Sequence, residues 1–363
     1  MKPIEIRVRT GHARTTYSIL IADGLLDALR THVEAVARKG RVIVVSSPRI
    51  WALQGDRIRK ALPDARHILV ADGEQAKRLR TVSGLYDALL EAGADRQTVV
   101  VVVGGGVLGD LAGFAAATFL RGLPLIQVPT TVVAQVDSAI GGKVGVNHAV
   151  GKNLIGAFYP PRVVLSDPRV LSTLSTREFR AGLYEVIKYG VIDSPRLFAR
   201  LERDLPQILA RDMDTLVPVI ADCSRIKARV VTADEHETGE RRILNFGHTA
   251  GHALEAITNY RRFRHGEAVG LGMIVAAELA HNRGALSTDA RDRIRGLLDR
   301  LGALPPVDDL SAAECVGAMS RDKKVIRGTL HYVLPVKIGK TEIVTDVKPA
   351  ELTRALKTIG LKK

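Results

Sequence analysis

The chain has 363 residues, 46% of them hydrophobic and 25% charged, which is the balance of a packed globular protein long enough for two domains. No apolar run reaches the ~18 residues of a membrane helix, Met1-Lys2-Pro3-Ile4-Glu5 has no apolar leader segment, and the lone Cys223 and Cys315 exclude a disulfide framework and a cysteine zinc site. The net charge of +14 is spread along the chain rather than gathered into an arm, and aromatics are only 4%, so a membrane or nucleic-acid partner is not expected and a cytoplasmic protein is.

In chain order, Arg41-Val42-Ile43-Val44-Val45 is an apolar run closed by Ser46-Ser47-Pro48, which predicts a strand and a turn. His67-Ile68-Leu69-Val70 predicts a second strand, followed by Asp72-Gly73 and a helix to about Ala92. Thr98 to Val103 holds five successive valines and stops at a triple glycine, as a strand buried on both faces of a parallel sheet does. Leu125-Ile126-Gln127-Val128 repeats the pattern and ends at Pro129-Thr130-Thr131. Strands alternating with helices through 1–168 give an α/β, Rossmann-like domain with a mostly parallel sheet. Beyond Pro168 apolar residues recur at helical spacing, as in Leu201, Leu205, Ile208 and Leu209, and 169–363 reads as a mainly α-helical domain. A late pair, His331-Tyr332-Val333-Leu334 and Glu342-Ile343-Val344, fits a small hairpin around Gly339.

Three groups of residues carry chemistry. Gly104, Gly106 and Gly109 satisfy G-x-G-x-x-G after the valine strand, where a turn without side chains lets backbone N–H groups approach a pyrophosphate at a helix N-terminus. The usual acidic ribose partner about twenty residues on is absent, since Pro124 stands there. Glu74 in Asp72-Gly73-Glu74-Gln75-Ala76-Lys77 could accept ribose hydroxyls instead, so a nucleotide site at the strand ends is the reading.

His248 and His252 are four apart and share one helix face, and His265 follows in His265-Gly266-Glu267. Three of the chain's ten histidines within eighteen residues point to a metal, with His248, His252 and His265 as candidate ligands. Spacing does not choose among Glu185, Glu255 and Glu267 as the acidic ligand. The third group is lysine beside glycine and asparagine: Gly141-Gly142-Lys143, Gly151-Lys152-Asn153, and Lys188 three residues after Glu185, with Lys227, Arg241 and Lys323 further on. Such a set suits a ligand with both a phosphate and a carboxylate.

These residues closely resemble the 3-dehydroquinate synthase family. The likeness runs from about Tyr17 to Pro335 and is strongest in GGGVLGDLAGF, RGLPLIQVPTT, AQVDSAIGGKVGVNHAVGKNLIGAFYPP, GLYEVIKYG, LNFGHTAGHALE, HGEAVGLGM and RDKK. It implies an NAD-binding α/β domain joined to a helical domain, with the active site in the cleft between them. Carried over residue by residue, it implies zinc, or cobalt in its place, on Glu185, His248 and His265, and moves His252 from the metal to the substrate.

NAD contacts are implied for Asp72, Gly73, Glu74, Gln75, Ala76, Lys77, Gly106, Val107, Leu108, Gly109 and Asp110. Thr130, Thr131, Asp137, Lys143, Lys152, Val170, Leu171, Ser172 and Thr173 complete that set. Catalytic roles fall on Lys143, Lys188, Lys227, Arg241, Asn245 and His252. Those six, with Asp137, Asn153, Lys323 and Lys324, would bind the substrate, a phosphorylated sugar acid. Arg121 would reach the phosphate from a neighbouring subunit, which implies a homodimer.

The implied reaction converts 3-deoxy-D-arabino-heptulosonate 7-phosphate to 3-dehydroquinate and phosphate, a step of the shikimate pathway. It proceeds by transient NAD-dependent oxidation, phosphate β-elimination, re-reduction, ring opening and an intramolecular aldol. Sibling sugar-phosphate cyclases, such as 2-deoxy-scyllo-inosose and 2-epi-5-epi-valiolone synthases, are the alternative. They differ on the substrate side around Lys227, Arg241, Asn245 and His252. Three positions depart from the family pattern: Tyr184 for a common alanine, His236 for arginine, and Ser47 for Asp or Asn. The resemblance gives Arg261, Arg262 and Arg264 no role.

Overall fold

The computed structural model describes residues 2–9, 16–37, 40–237, 239–320, 325–326 and 329–362. It divides into two compact units, Met1–Ser175 with Arg211–Glu235, and Thr176–Ala210 with His236–Lys363. The sequence suggested a single boundary at 168; in the structure the chain leaves the first unit, returns for one long helix and leaves again.

In the first unit the strands are β1 (Ile4–Arg9), β2 (Thr16–Ile21), β3 (Val42–Ser46), β4 (Arg66–Leu69), β5 (Val99–Gly104), β6 (Leu125–Pro129), β7 (Lys143–His148), β8 (Gly151–Phe158) and β9 (Val163–Ser166). Seven form one sheet in the order β1-β2-β9-β6-β5-β3-β4, and only the β1–β2 pairing is antiparallel. From β3 onward the order of appearance is 2-1-3-4-5, a doubly wound sheet whose strand order reverses between β3 and β5; sheets of this type ordinarily bind ligands beyond the carboxyl ends of their strands. The glycine-lysine segments have a structure that the sequence reading did not anticipate, for β7 and β8 pair as a separate antiparallel hairpin.

Burial explains the valine run. Val100 and Val102 join Leu85 and Leu89 of α3 (Leu79–Glu91) and Leu108 and Leu111 of α4 (Gly106–Thr118) in one core. Val99, Val101 and Val103 face the opposite way, onto Leu29 and Val33 of α1 (Leu29–Ala37) and Ile58 of α2 (Pro48–Ala61). Both faces are covered, so every position is apolar and no alternation survives. Ser47, the family departure, starts α2: its Oγ accepts from the Ile50 N–H at 3.4 Å, with Pro48 at the first helical position.

The second unit holds α5 (Thr176–Ile192) and α6 (Pro195–Leu209), and the chain then makes α7 (Met213–Ala233) in the first unit. The buried side of α7, with Leu216, Val219, Ile220 and Cys223, packs near β1 and β2, which is why this helix leaves the domain its position in the sequence suggested. The second unit resumes with α8 (His248–Ile257), α9 (His265–Asn282), α10 (Thr288–Asp299), α11 (Ala312–Ser320), the short β10 (Val325–Ile326) and β11 (Thr329–Leu330), the hairpin β12 (Tyr332–Lys337) and β13 (Lys340–Val344), and α12 (Pro349–Lys357). The late hairpin turns at Gly339, whose φ is 89°.

Two glycines of α9 set the spacing of its neighbours. A Cβ on Gly266 would lie 1.8 Å from the Ala181 carbonyl oxygen on α5, and one on Gly272 would lie 1.9 Å from the carbonyl oxygen of Gly247, which precedes α8. Backbone therefore meets backbone along α9, and the elements carrying Glu185, His248 and His265 are drawn together. Cys223 and Cys315 are both buried.

Candidate active site

In the first unit β5 ends at Gly104 and α4 begins at Gly106, leaving a crevice lined by Gly104, Gly105, Gly106, Gly109, Asp110 and Ser138. A Cβ on Gly106 would stand 2.7 Å from Ser138 Oγ, so the fingerprint glycine is also a packing requirement. Of the first α4 turn, Leu108 points into the core, while Val107, Gly109 and Asp110 are partly exposed. Thr130 and Thr131 follow β6, and Thr131 Oγ1 accepts from the Ala134 N–H at 3.1 Å. A π-helical turn, Ala134–Ser138, then carries Asp137. Wide turns of this kind recur at functional sites because they push a residue out of the helical register.

Asp72 and Gly73 are exposed beyond β4, and Glu74, Gln75 and Ala76 form a short 3-10 turn. Lys77 is 4% exposed, and its Nζ donates to Asp110 Oδ2 and Asn153 Oδ1, both at 2.5 Å. Burial raises the Asp110 pKa and the Lys77 ammonium pulls it back down, with the net direction upward.

Asn153 holds a left-handed φ of 52° on β8, whose exposed neighbours on the hairpin include Lys143; Lys152 is half-buried. Asn147 was missed by the sequence reading and ties these segments together. Its Nδ2 donates to Glu74 at 2.7 Å, its Oδ1 accepts from the Asn153 N–H at 2.8 Å, and its own N–H reaches the Lys77 carbonyl at 2.8 Å. It carries no charge and stands in no spacing motif, so no signal marked it. Val170 and Leu171 are buried in the 3-10 turn Pro168–Thr173, whereas Ser172 and Thr173 are exposed, and Gln54 donates to Thr173 Oγ1 at 3.0 Å. Lys227, buried on α7, donates to Asp137 at 2.5 Å. Arg121 is exposed, with a φ of 67° after α4.

In the second unit, one ligand atom from each of Glu185, His248 and His265 lies within 4.8 Å of the other two; His252, Glu255 and His265 form a second such group. The three imidazoles do meet, with centroid separations of 5.2–5.9 Å, yet they are not a converging ligand set by themselves. Glu185 is fully buried on α5, with His248 Nε2 at 3.5 Å and His265 Nε2 at 3.4 Å from its Oε1. Lys188, one turn on and 1% exposed, is ion-paired with Glu185 Oε2. His248 Nδ1 faces the Phe246 carbonyl at 3.1 Å. Burial opposes a charge on His265, but the Glu185 and Glu255 carboxylates outweigh it and raise its pKa to about 10. Two imidazole nitrogens and a carboxylate oxygen within one ion's reach are a donor set suited to zinc or cobalt.

Of the acids that spacing left open, Glu267 is engaged elsewhere: Arg177 donates to both its oxygens at 2.7 and 2.8 Å, and it accepts from the Arg264 N–H at 2.7 Å. Arg241 is 2% exposed in the turn Glu240–Asn245, and Asn245 Nδ2 donates to Glu237 at 2.7 Å. Lys323 and Lys324 lie outside the described residues. Two of the three arginines after α8 have structural work: Arg262 makes a bidentate pair with Asp309 and Arg264 pairs with Glu178 at 2.7 Å. Tyr184 packs on Gly270, where a Cβ would fall 2.6 Å from its ring.

Residues 67–181 match the 3-dehydroquinate synthase N-terminal family and residues 182–325 its C-terminal counterpart. A 3-dehydroquinate synthase of Koribacter versatilis is 44% identical over 358 residues, covering 97% of this chain and 98% of that protein. Among solved structures, a 2-epi-5-epi-valiolone synthase from Streptomyces hygroscopicus, with NAD⁺ and Zn²⁺ bound, superposes with a TM-score of 0.88 at 29% identity, covering 96% of this chain and 98% of that one. A 2-deoxy-scyllo-inosose synthase complexed with carbaglucose-6-phosphate, NAD⁺ and Co²⁺ gives 0.84 at 27% identity, covering 98% and 99%. The chain belongs to the 3-dehydroquinate synthase family.

Proposed function

We propose that this chain converts 3-deoxy-D-arabino-heptulosonate 7-phosphate to 3-dehydroquinate and phosphate, with NAD and a divalent metal as its cofactors. The observation that carries the reading is 44% identity to a 3-dehydroquinate synthase over 97% of the chain, against 27–29% to the solved sibling cyclases. The metal falls to Glu185, His248 and His265, whose donor atoms converge, and NAD to the glycine crevice beyond β5 with Asp72–Lys77 beside it. When bound, NAD supplies a reversible hydride sink, and the metal polarises the oxygen of the alcohol being oxidised.

The chain's own groups do the rest. Lys227 and Lys188 are buried cations held by Asp137 and Glu185, so each presents an ammonium whose position is set before substrate arrives. Lys143 on the exposed hairpin and Asn153 with its left-handed backbone are assigned to the substrate as well. Arg241, Asn245 and His252 fall to the carboxylate-bearing end, where a planar guanidinium pairs well with a carboxylate. Lys323 and Lys324 complete the cationic set. Arg121, exposed and outside the crevice, is assigned to the phosphate of a partner's substrate in a homodimer.

Among the described residues no helix is long and apolar enough to cross a membrane. The test is substrate choice by purified protein supplied with NAD⁺ and Zn²⁺. Turnover of the heptulosonate phosphate, with glucose 6-phosphate and sedoheptulose 7-phosphate inert, is expected. Preference for either of the latter two would reassign the chain to a sibling cyclase.

A further inference from the structure

We infer that Glu255 is a positioning residue for the metal centre: it holds His265 by Nδ1 so that Nε2 is presented to the metal, and it is not itself a ligand. The inference rests on the reading of Glu185, His248 and His265 as the metal set. Glu255 lies on the same face of α8 as His248 and His252, seven and three residues after them, and is 6% exposed. Its Oε2 stands 3.4 Å from His265 Nδ1, while the opposite nitrogen of the same ring stands 3.4 Å from Glu185 Oε1.

His248 is arranged in the same way, with Nε2 toward Glu185 and Nδ1 toward the Phe246 carbonyl. Each ring therefore has an acceptor behind it and Glu185 in front. Metal-bound histidines are ordinarily fixed by such an acceptor, which selects the tautomer and orients the ring. For His248 the acceptor is backbone, which a substitution cannot remove. His265 starts α9 and depends on a side chain of another helix. A carboxylate buried to this degree is costly unless it is used, and the facing imidazole gives it a use. Were Glu255 a ligand with His252 and His265, the metal would sit on the Nδ1 side of His265, and Glu185, which faces Nε2 together with His248, would be left outside the set.

The test is Zn²⁺ affinity by competition with a chromophoric chelator, the visible spectrum of the Co²⁺ form, and the denaturation midpoint of the metal-free protein, for wild type, Glu255→Gln and Glu255→Ala. Loss of an outer partner of this kind typically weakens a site 10–100-fold. The expected result is Zn²⁺ binding about 10-fold weaker in Glu255→Gln, with the Co²⁺ band pattern and the metal-free midpoint kept, and a greater loss in Glu255→Ala. Wild-type affinity in folded Glu255→Gln would overturn the inference. So would a changed Co²⁺ spectrum, which would make Glu255 a ligand. If the wild-type protein binds no Zn²⁺, or if Glu185→Gln leaves binding intact, the proposed metal set fails first and this inference with it.

Discussion

Gly266→Ala is the most demanding single substitution the structure offers. The new Cβ would sit 1.8 Å from the Ala181 carbonyl oxygen, where real Cβ atoms do not approach within 3.0 Å, so α9 and α5 must part by about 1.2 Å. The obstacle is backbone on both sides and no side chain can swing away. Overpacking of a close-packed interior costs about 1–3 kcal/mol, and a backbone clash lies at the upper end, about 3 kcal/mol. The displacement has a second consequence, because His265 is the adjacent residue and Glu185 is on the helix being pushed. Metal sites tolerate roughly 0.2 Å in ligand distance, several times less than this opening.

Chemical denaturation of the metal-free protein and Zn²⁺ titration of the folded protein measure the two effects separately. Gly296→Ala is the matched control, since nothing lies within 4 Å of a Cβ there in the last turn of α10, and it should gain about 0.5–1 kcal/mol. A Gly266→Ala protein with wild-type midpoint and wild-type zinc affinity would refute the close-approach argument.

Other consequences follow from particular contacts. His265→Ala should lose both metal and turnover, whereas His252→Ala should keep the metal and lose turnover; metal analysis of the two purified variants decides, and loss of metal from the second would return His252 to the ligand set. Lys77→Met removes the cation that faces Asp110 and Asn153. It should weaken NAD binding at least 10-fold by equilibrium titration, and it should make the protein less stable as pH rises, because a raised Asp110 pKa favours the folded state only while that carboxyl keeps its proton. Unchanged NAD affinity would take Lys77 out of the nucleotide site. Arg283 donates to both oxygens of Glu351 at 2.8 Å and holds its pKa at about 2, below the ordinary 4.5. A lowered carboxyl pKa stabilises the fold above pH 4.5 and that stability is lost as pH falls through about 2. Arg283→Ala should therefore cost about 1 kcal/mol or less at pH 7, with the gap to wild type closing toward pH 2; a gap independent of pH would contradict it.

Of the seven sheet strands, β3 to β6 were legible as short apolar runs closed by turn residues, whereas β1, β2 and β9 were not singled out. β7 and β8 did not stand out either, because Lys143–His148 and Gly151–Phe158 mix glycine, lysine and asparagine, and their signal was read as ligand chemistry alone. The place of α7 was hidden for a different reason: helical periodicity reports an apolar face but not the unit that face packs on. The histidine grouping was visible from spacing, whereas the acid proposed to join it, Glu185 rather than Glu255 or Glu267, was not. Glu185 is sixty-three residues from His248, and it comes beside both rings where α9 closely approaches α5 at Gly266 and the turn before α8 at Gly272. The family resemblance named it; periodicity could not.

One chain is expected to run a complete internal redox cycle on a phosphorylated sugar acid. Purified protein with Zn²⁺ and NAD⁺ far below the substrate concentration should be given 3-deoxy-D-arabino-heptulosonate 7-phosphate while phosphate, 3-dehydroquinate and NADH absorbance are followed together. Phosphate and dehydroquinate in equal amounts, many turnovers per NAD and no net NADH are expected. Accumulation of NADH in step with product, or no phosphate from a folded, metal-loaded sample, would contradict that cycle.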